Sequence, residues 1–159
     1  MKIVKVLWRS LQSLSGFVGY VLCVMCCTTV FGEDDMTMKT GRLHNLRTGQ
    51  IVGTSVWQAD SFWTRFRGLL GKSSLLPGEG LWLKPCHQVH MMGMKFPLSV
   101  WFLDKKGRVC ALIDDLRPWK ISPHIRNAAS IIEFPAGWGN STNTQLGDEL
   151  MWEEALSDG

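Results

Sequence analysis

The sequence predicts a mainly β domain, an antiparallel sandwich or small barrel with one short α-helix. Apolar segments of three to six residues recur at short intervals after residue 80, and such segments are typical of strands. Gly, Pro, Asn and Asp separate them, as turns require. Only one stretch has the spacing of an amphipathic helix, so a doubly wound α/β fold is excluded.

The body begins with a hairpin and a helix. Residues 43–56 alternate loosely between apolar and polar side chains around the turn Thr48-Gly49, which predicts two paired strands. Asp60 and Ser61 then supply an N-cap, and Gly71 ends the helix. The helical stripe between them consists of Phe62, Trp63, Phe66, Leu69 and Leu70.

Short strands fill the rest of the body. Pro135-Ala136-Gly137 interrupts the pattern, and residues 105–107 form a turn between two strands of a hairpin. The tail at residues 153–159 is expected to fray. The predicted strands cover residues 81–83, 98–103, 108–113, 119–121, 130–134 and 149–152.

The first 32 residues predict a signal peptide or membrane anchor with an apolar helix. Their only charges are Lys2, Lys5 and Arg9, and the uncharged span that follows at residues 10–32 is long enough to cross a bilayer. The acidic residues 33–35 favour a domain outside the cytoplasmic membrane. Residues 33–41 would be a linker and residues 42–152 the β domain. If translation starts at Met36 or Met38, the protein would be cytoplasmic.

The charge of the body argues against nucleic-acid binding. Outside the head, 14 Lys and Arg balance 14 Asp and Glu, whereas nucleic-acid binding needs a clustered basic face. The expected partner is the membrane, which the N-terminal segment at residues 1–32 would contact.

Cys86 and Cys110 are the only cysteines of the body. They either form a disulfide bond or remain two buried thiols.

A set of short motifs resembles the domain of unknown function 192 family over about residues 42–152. The motifs are Arg67-Gly68-Leu69-Leu70-Gly71, His90 with Met94, Phe96-Pro97-Leu98, Phe102-Leu103-Asp104 with Gly107, Glu133-Phe134-Pro135-Ala136-Gly137, and Gly147-Asp148. The resemblance implies a compact, jelly-roll-like fold and a bacterial or archaeal protein that often carries a signal peptide. It implies no reaction and no cofactor.

Ser99 departs from the family pattern. The resemblance implies an acidic residue at this position, after the segment Phe96-Pro97-Leu98. A hydroxyl cannot replace a carboxylate as a metal ligand or general base at neutral pH. A carboxylate-dependent activity of the family would therefore be lost in this chain.

The region around His90 suggests a soft-metal site. Thiolate, imidazole and thioether ligands suit Cu(I) or Zn, and this region carries Cys86, His87, His90, Met91, Met92 and Met94. The alternative is that the methionines simply fill an irregular core, which is their usual role.

An enzyme is a second alternative. Cys86 could act as the nucleophile of a small hydrolase with His90 or His87 as base, and an acid could orient the imidazole. The acids available for that role are Asp104, Asp114 and Asp115. Asp104, however, stands at a turn, where a short carboxylate usually accepts hydrogen bonds from nearby backbone N–H groups.

Glu133 is a further candidate functional residue. It interrupts an apolar strand, so an inward-facing carboxylate needs a cationic partner, and Arg67 is the expected one. The candidate functional residues are therefore His90, Met94, Cys86, Arg67, Glu133 and Asp104. The preferred function is a non-catalytic binding or accessory domain, with Trp119 and Trp138 as the most exposed indoles and a possible ligand platform.

Overall fold

The computed structural model describes residues 38–61, 64–65, 68–69 and 71–155. This part of the chain contains seven strands and one short helix. The strands are β1 (Lys39–Asn45), β2 (Gln50–Ala59), β3 (Glu79–Leu83), β4 (Leu98–Leu103), β5 (Val109–Leu116), β6 (Ser130–Pro135) and β7 (Leu150–Glu154), and the helix α1 is Trp138–Ser141. The mainly β class is confirmed.

The predicted signal peptide or anchor at residues 1–32 lies outside the described residues. Within the ranges given above, no helix is both long enough and apolar enough to cross a bilayer. The membrane segment therefore stays a prediction from the sequence.

The seven strands form one mixed sheet in the order β5-β4-β6-β3-β2-β1-β7. Every neighbouring pair is antiparallel except β2 and β3, which run parallel from Ser55↔Glu79 to Ala59↔Leu83. The prediction of an antiparallel arrangement is wrong for this pair. Parallel neighbours need a long crossover connection, and residues 60–78 supply it.

The two edge strands of the sheet, β5 and β7, meet at their ends. Arg108 and Glu149 form an isolated antiparallel bridge, and the Val109 N–H donates to the Asp148 carbonyl at 2.9 Å. The sheet therefore curls until its edges touch. The jelly-roll arrangement that the resemblance implies stays a prediction.

Two apolar clusters lie on the two faces of the sheet. All six residues of β4 are buried, and successive side chains of a strand point to opposite faces. Val100 and Phe102 belong to the first cluster, whereas Trp101 and Leu103 belong to the second. The apolar run of β4 is thus explained by burial on both faces.

Most of the predicted strands are present, with one clear exception. Residues 119–121 are not a strand, because Trp119 has a positive φ of 66° that interrupts an extended backbone. Only Ile121 pairs, in an isolated bridge with His90. β7 runs to Glu154, two residues beyond its predicted end.

The predicted helix after Asp60 is described only in part. The Thr64 N–H donates to Ser61 Oγ at 3.2 Å and the Ser61 N–H donates to Thr64 Oγ1 at 3.1 Å, which confirms Ser61 as a cap. Gly68 has a φ of 45° and lies in a turn, so the helical stretch ends before Gly71. The stripe residues Phe62, Trp63, Phe66 and Leu70 lie outside the described residues.

Candidate functional site

Two of the three methionines around His90 lie in the core. Met91 and Met94 are buried in the first cluster, and Cys86 packs against it. This is the core-filling role of methionine. Among the residues that the structure describes, no three His, Cys, Asp or Glu side chains converge as a metal-binding group. The soft-metal hypothesis therefore gains no support from this geometry.

His90 and Cys86 show no sign of activation. His90 is half-buried, its Nδ1 has no hydrogen-bond partner among the described residues, and burial lowers its pKa. The imidazole is therefore neutral at pH 7. The Cys86 thiol donates to the Gln88 carbonyl oxygen at 3.2 Å. The hydrolase hypothesis gains no support from this contact, because a carbonyl oxygen is not a general base.

Asp104 holds the turn between β4 and β5. Its Oδ1 accepts the backbone N–H of Lys106 at 2.8 Å and of Arg108 at 3.0 Å. The bond from Arg108 is the main cause that lowers the pKa of this carboxyl group. Asp104 thus has the turn role expected for a short acceptor at this position.

Glu133 is a buried acid whose side chain shares the face of the first cluster. It alternates along β6 with Ile132 and Phe134, which belong to the second cluster. Its cross-strand neighbours are Leu81 on β3 and Val100 on β4, both members of the first cluster. Burial in these apolar surroundings raises the pKa of Glu133 to about 7.

The predicted partner of Glu133, Arg67, lies outside the described residues. Within the described part, no side chain forms an ion pair with Glu133, and desolvation alone accounts for its raised pKa. The buried pair with Arg67 therefore stays a prediction.

Ser99, where the resemblance implies an acid, connects to a carboxylate on the next strand. Ser99 is fully buried, and its Oγ donates to Asp114 Oδ1 at 2.6 Å. Trp101 Nε1 donates to Ser99 Oγ at 2.8 Å. Asp114 also accepts the backbone N–H groups of Gly139 and Asn140 at 2.8 and 3.1 Å, at the start of α1. The carboxylate beside this position therefore belongs to Asp114 of β5 and not to a residue of β4.

We expect Ser99→Ala to lower the free energy of unfolding by about 1–3 kcal/mol, because Trp101 Nε1 loses its acceptor while it stays buried. Urea unfolding followed by circular dichroism measures the change. Ser141→Ala is the matched control, since the Ser141 hydroxyl is exposed and bonds only a carbonyl, and its cost should stay below about 0.5 kcal/mol. Equal costs for the two variants would contradict a structural role of the Ser99 network.

Asp148 of the Gly147-Asp148 motif joins the β1–β2 turn to the segment before β7. Its buried carboxylate accepts Asn45 Nδ2 at 2.7 Å, Arg47 Nη2 at 3.0 Å and the Gln145 N–H at 2.9 Å. The bond from Arg47 is the main cause that lowers the pKa of Asp148 to about 2. The Gly147-Asp148 motif therefore holds these two segments together, and we call it a structural lock.

An open cleft of about 780 Å³ lies beside the β4–β5 turn. Two backbone bonds assemble it: the Ala129 N–H donates to the Leu103 carbonyl at 2.7 Å, and the Cys86 N–H donates to the Ala129 carbonyl at 3.2 Å. Three chain segments thereby meet. The lining residues are Pro85, His87, Asp104, Lys105, Lys106, Arg108, Arg126, Asn127, Ala128 and Ala129.

The lining of the cleft is strongly cationic. Four positive side chains face one carboxylate, and that carboxylate, Asp104, already accepts two backbone N–H groups. In the described part of the chain, none of the four cations forms an ion pair. The positive side chains are Lys105, Lys106, Arg108 and Arg126.

Two polar atoms of the cleft residues are buried without a partner. Arg108 Nε and His87 Nδ1 have no hydrogen-bond partner among the described residues. Buried polar groups without partners are rare in folded proteins, because each costs free energy. Both residues belong to the lining of the cleft, whose four cations form no ion pair among the described residues.

The cationic cleft was not predicted from the sequence. Of its lining residues, the sequence singles out Asp104 as a candidate functional residue and His87 as an alternative metal ligand or base. The available signal was the density of positive charge at Lys105, Lys106 and Arg108, which flank a single glycine. The fourth cation, Arg126, and His87 come from distant segments, so only the fold brings them together.

Comparisons with known proteins agree with the resemblance. The profile of the domain of unknown function 192 family, described as an uncharacterised ACR, matches residues 44–152. A UPF0127 protein of Thermococcus sibiricus is 33% identical over 118 residues, which cover 70% of this chain and 74% of that protein. A UPF0127 protein of Pyrococcus furiosus is 29% identical over 118 residues, which cover 70% of this chain and 98% of that protein.

A solved structure also shares the fold. It is a crystal structure from Sinorhizobium meliloti, described provisionally as a transcription regulator, with a TM-score of 0.63 and 22% identity over 76% of this chain and 98% of that one. At this identity the likeness concerns the fold alone. Because the family profile covers most of the chain, the protein belongs to the domain of unknown function 192 family.

Proposed function

We propose that the protein is a non-catalytic binding domain that holds a small anionic molecule in the cationic cleft. The observation that carries this proposal is the coincidence of four cations without ion pairs and a buried, unpartnered Arg108 Nε in one cavity. A carboxylate or phosphate group would supply the missing acceptors.

The dimensions and chemistry of the cleft support a small ligand. Its volume of about 780 Å³ falls in the range of small-molecule sites, about 300–1,000 Å³. The lining includes no hydroxyl or thiol side chain that could act as a nucleophile. The lining therefore favours recognition over acyl transfer.

A small anion is favoured over nucleic acid. The cations of the cleft are local, whereas the body as a whole carries equal numbers of positive and negative side chains. Nucleic-acid binding usually needs a basic face that follows several phosphates. The description of the Sinorhizobium meliloti protein is nevertheless a reason to test an oligonucleotide directly.

We also propose that the domain works outside the cytoplasmic membrane. The support is the sequence of residues 1–35, in which basic residues precede an uncharged span and acidic residues follow it. An exported or anchored anion-binding domain would meet solutes of the cell envelope. Among the described residues, Cys110 forms no disulfide bond.

We expect Arg108→Gln to weaken anion binding by about 10- to 100-fold, because a charge-assisted hydrogen bond contributes about 1.5–3 kcal/mol. Isothermal titration of the full-length protein with inorganic phosphate, citrate and a short single-stranded oligonucleotide, at constant ionic strength, measures the affinities. Arg42→Gln is the matched control, since Arg42 is exposed on β1 and does not line the cleft.

Two results would overturn the proposal. The first is no saturable binding of phosphate or citrate by the wild-type protein. The second is tighter binding of the oligonucleotide with a steep dependence on salt, which would assign the cleft to nucleic acid. An unchanged affinity in Arg108→Gln would place the bound anion elsewhere.

A further inference from the structure

The loop after β5 presents an exposed indole at a fixed position. The side chain of Trp119 is 62% exposed, and Ile121 is 45% exposed in the same loop. Trp119 also has a φ of 66°, a left-handed conformation that large residues rarely adopt. A large apolar side chain on a strained backbone is a reason to look for a function.

Hydrogen bonds hold this loop in place. The Trp119 N–H donates to the Met91 carbonyl at 2.9 Å, and the Met91 N–H donates to the Lys120 carbonyl at 2.7 Å. Met91 itself is buried in the first cluster. The backbone of Trp119 is therefore attached to the core, while its ring projects outward.

The described residues place neither an aromatic ring nor a cation against the ring of Trp119. Among the described residues, Trp119 makes no contact with another aromatic ring and lies under no cation, unlike Trp57 and Trp82, which lie under lysines. Trp138, the other indole expected to be exposed, donates its Nε1 hydrogen to the Val52 carbonyl at 2.7 Å. Trp138 is therefore structural, and Trp119 is the exposed platform.

Positive charge flanks the indole on both sides. Lys120 is exposed, and the side chain of Arg117 is 74% exposed. Arg117 Nε donates to Asp115 Oδ2 at 3.1 Å, but both groups stay accessible to solvent. The loop thus combines an aromatic ring, an aliphatic side chain and two cations within five residues.

We propose that the loop at residues 117–121 docks the domain on a lipid surface that contains anionic headgroups. Indole rings prefer the boundary between headgroups and acyl chains, and Arg and Lys are attracted to anionic lipids. The apolar Pro118 and Ile121 beside the ring extend the apolar surface that would enter the lipid boundary. The surface therefore matches lipid better than glycan.

The test uses the full-length protein with vesicles whose acyl chains are brominated, because bromine quenches indole fluorescence on contact. One vesicle preparation contains phosphatidylcholine alone and the other contains added phosphatidylglycerol. We expect Trp119→Phe to lose part of the quenching that the wild type shows, and the loss should be larger with phosphatidylglycerol. The difference between the two proteins isolates Trp119 even if the N-terminal segment also enters the bilayer.

Two further variants sharpen the test. Trp57→Phe is the matched control, since the ring of Trp57 lies 3.8 Å from Lys72 Nζ within the protein, and its quenching should equal that of the wild type. Arg117→Gln combined with Lys120→Gln removes two exposed charges of the loop, and in this variant phosphatidylglycerol should increase quenching less than it does in the wild type.

Equal quenching of the wild type and Trp119→Phe in both preparations would overturn the proposal. So would an undiminished effect of phosphatidylglycerol on the doubly substituted protein. Quenching of Trp119 by soluble glycans, without quenching by lipid, would assign the loop to carbohydrate instead.

Discussion

We expect Asp148→Asn to lower the free energy of unfolding by about 3 kcal/mol at pH 7. The buried carboxylate accepts hydrogen bonds from Asn45, Arg47 and Gln145. These three bonds all reach Oδ2, and Arg47 Nε donates to the other oxygen, Oδ1. An amide cannot accept at both positions, because one of its two heavy atoms is itself a donor. Removal of one partner from a buried charged network typically costs about 3–5 kcal/mol. Chemical unfolding at pH 7 measures the loss.

The same substitution should change how stability depends on pH. Asp148 has a pKa of about 2 in the folded protein, below its value of about 3.9 in an unfolded chain. Its contribution is therefore complete above about pH 5 and is lost as the pH falls toward 2. Asp148→Asn should show a flatter decline over this interval than the wild type.

Asp115→Asn is the control for this prediction. Asp115 is exposed and pairs only with the exposed Arg117, and such pairs contribute about 0–1 kcal/mol. If Asp148→Asn and Asp115→Asn had similar effects at pH 7, the Gly147-Asp148 motif would not be a structural lock. Parallel pH curves for Asp148→Asn and the wild type would contradict the lowered pKa.

The second large effect concerns Glu133, and it has the opposite sign. We expect Glu133→Gln to raise the free energy of unfolding by about 3 kcal/mol at pH 8 and to leave it nearly unchanged at pH 4. The folded pKa of about 7 lies above the ordinary value of 4.5 for this side chain. Each unit of difference corresponds to about 1.4 kcal/mol.

The direction follows from proton binding. A carboxyl group that keeps its proton in the folded state stabilises the fold fully below its unfolded pKa, and this stability is lost as the pH rises from about 4.5 through 7. Glutamine does not titrate, so it avoids this loss. Unfolding experiments at pH 4, 6 and 8 measure the divergence of the two proteins.

The opposite result would be equally informative. If Glu133→Gln is less stable than the wild type at pH 8, a cation pairs with the carboxylate, as the sequence predicts for Arg67. Arg67→Met should then destabilise the wild type but have little effect in the Glu133→Gln background, since the pair would already be absent.

The elements that the sequence predicts well are those whose signal is local. β4 and β6 are predominantly apolar, and all their residues except Pro135 are buried. The turn role of Asp104 depends only on the next four residues. In each case the residues of a short segment are sufficient to predict the structure of that segment.

The elements that the sequence misses depend on distant residues. The helix α1 has four residues, too few for a periodic pattern, and Asp114 of β5 accepts the N–H groups at its start. The parallel pairing of β2 with β3 likewise has no local signal. The cationic cleft is missed for the same reason, because His87 and Arg126 reach the β4–β5 turn only through the fold.

The pairing of β1 with β7 has a consequence for the order in which the domain can fold. His44 of β1 and Glu153 of β7 lie 109 residues apart in the chain, yet His44 Nε2 is 2.8 Å from Glu153 Oε2. The first strand of the domain to be synthesised, β1, therefore lacks one of its two neighbours until β7 has been synthesised. Contacts of such long range slow folding and leave strand edges exposed to aggregation in the meantime. A chain truncated before β7 should accordingly depend on chaperones, however well its other six strands pair.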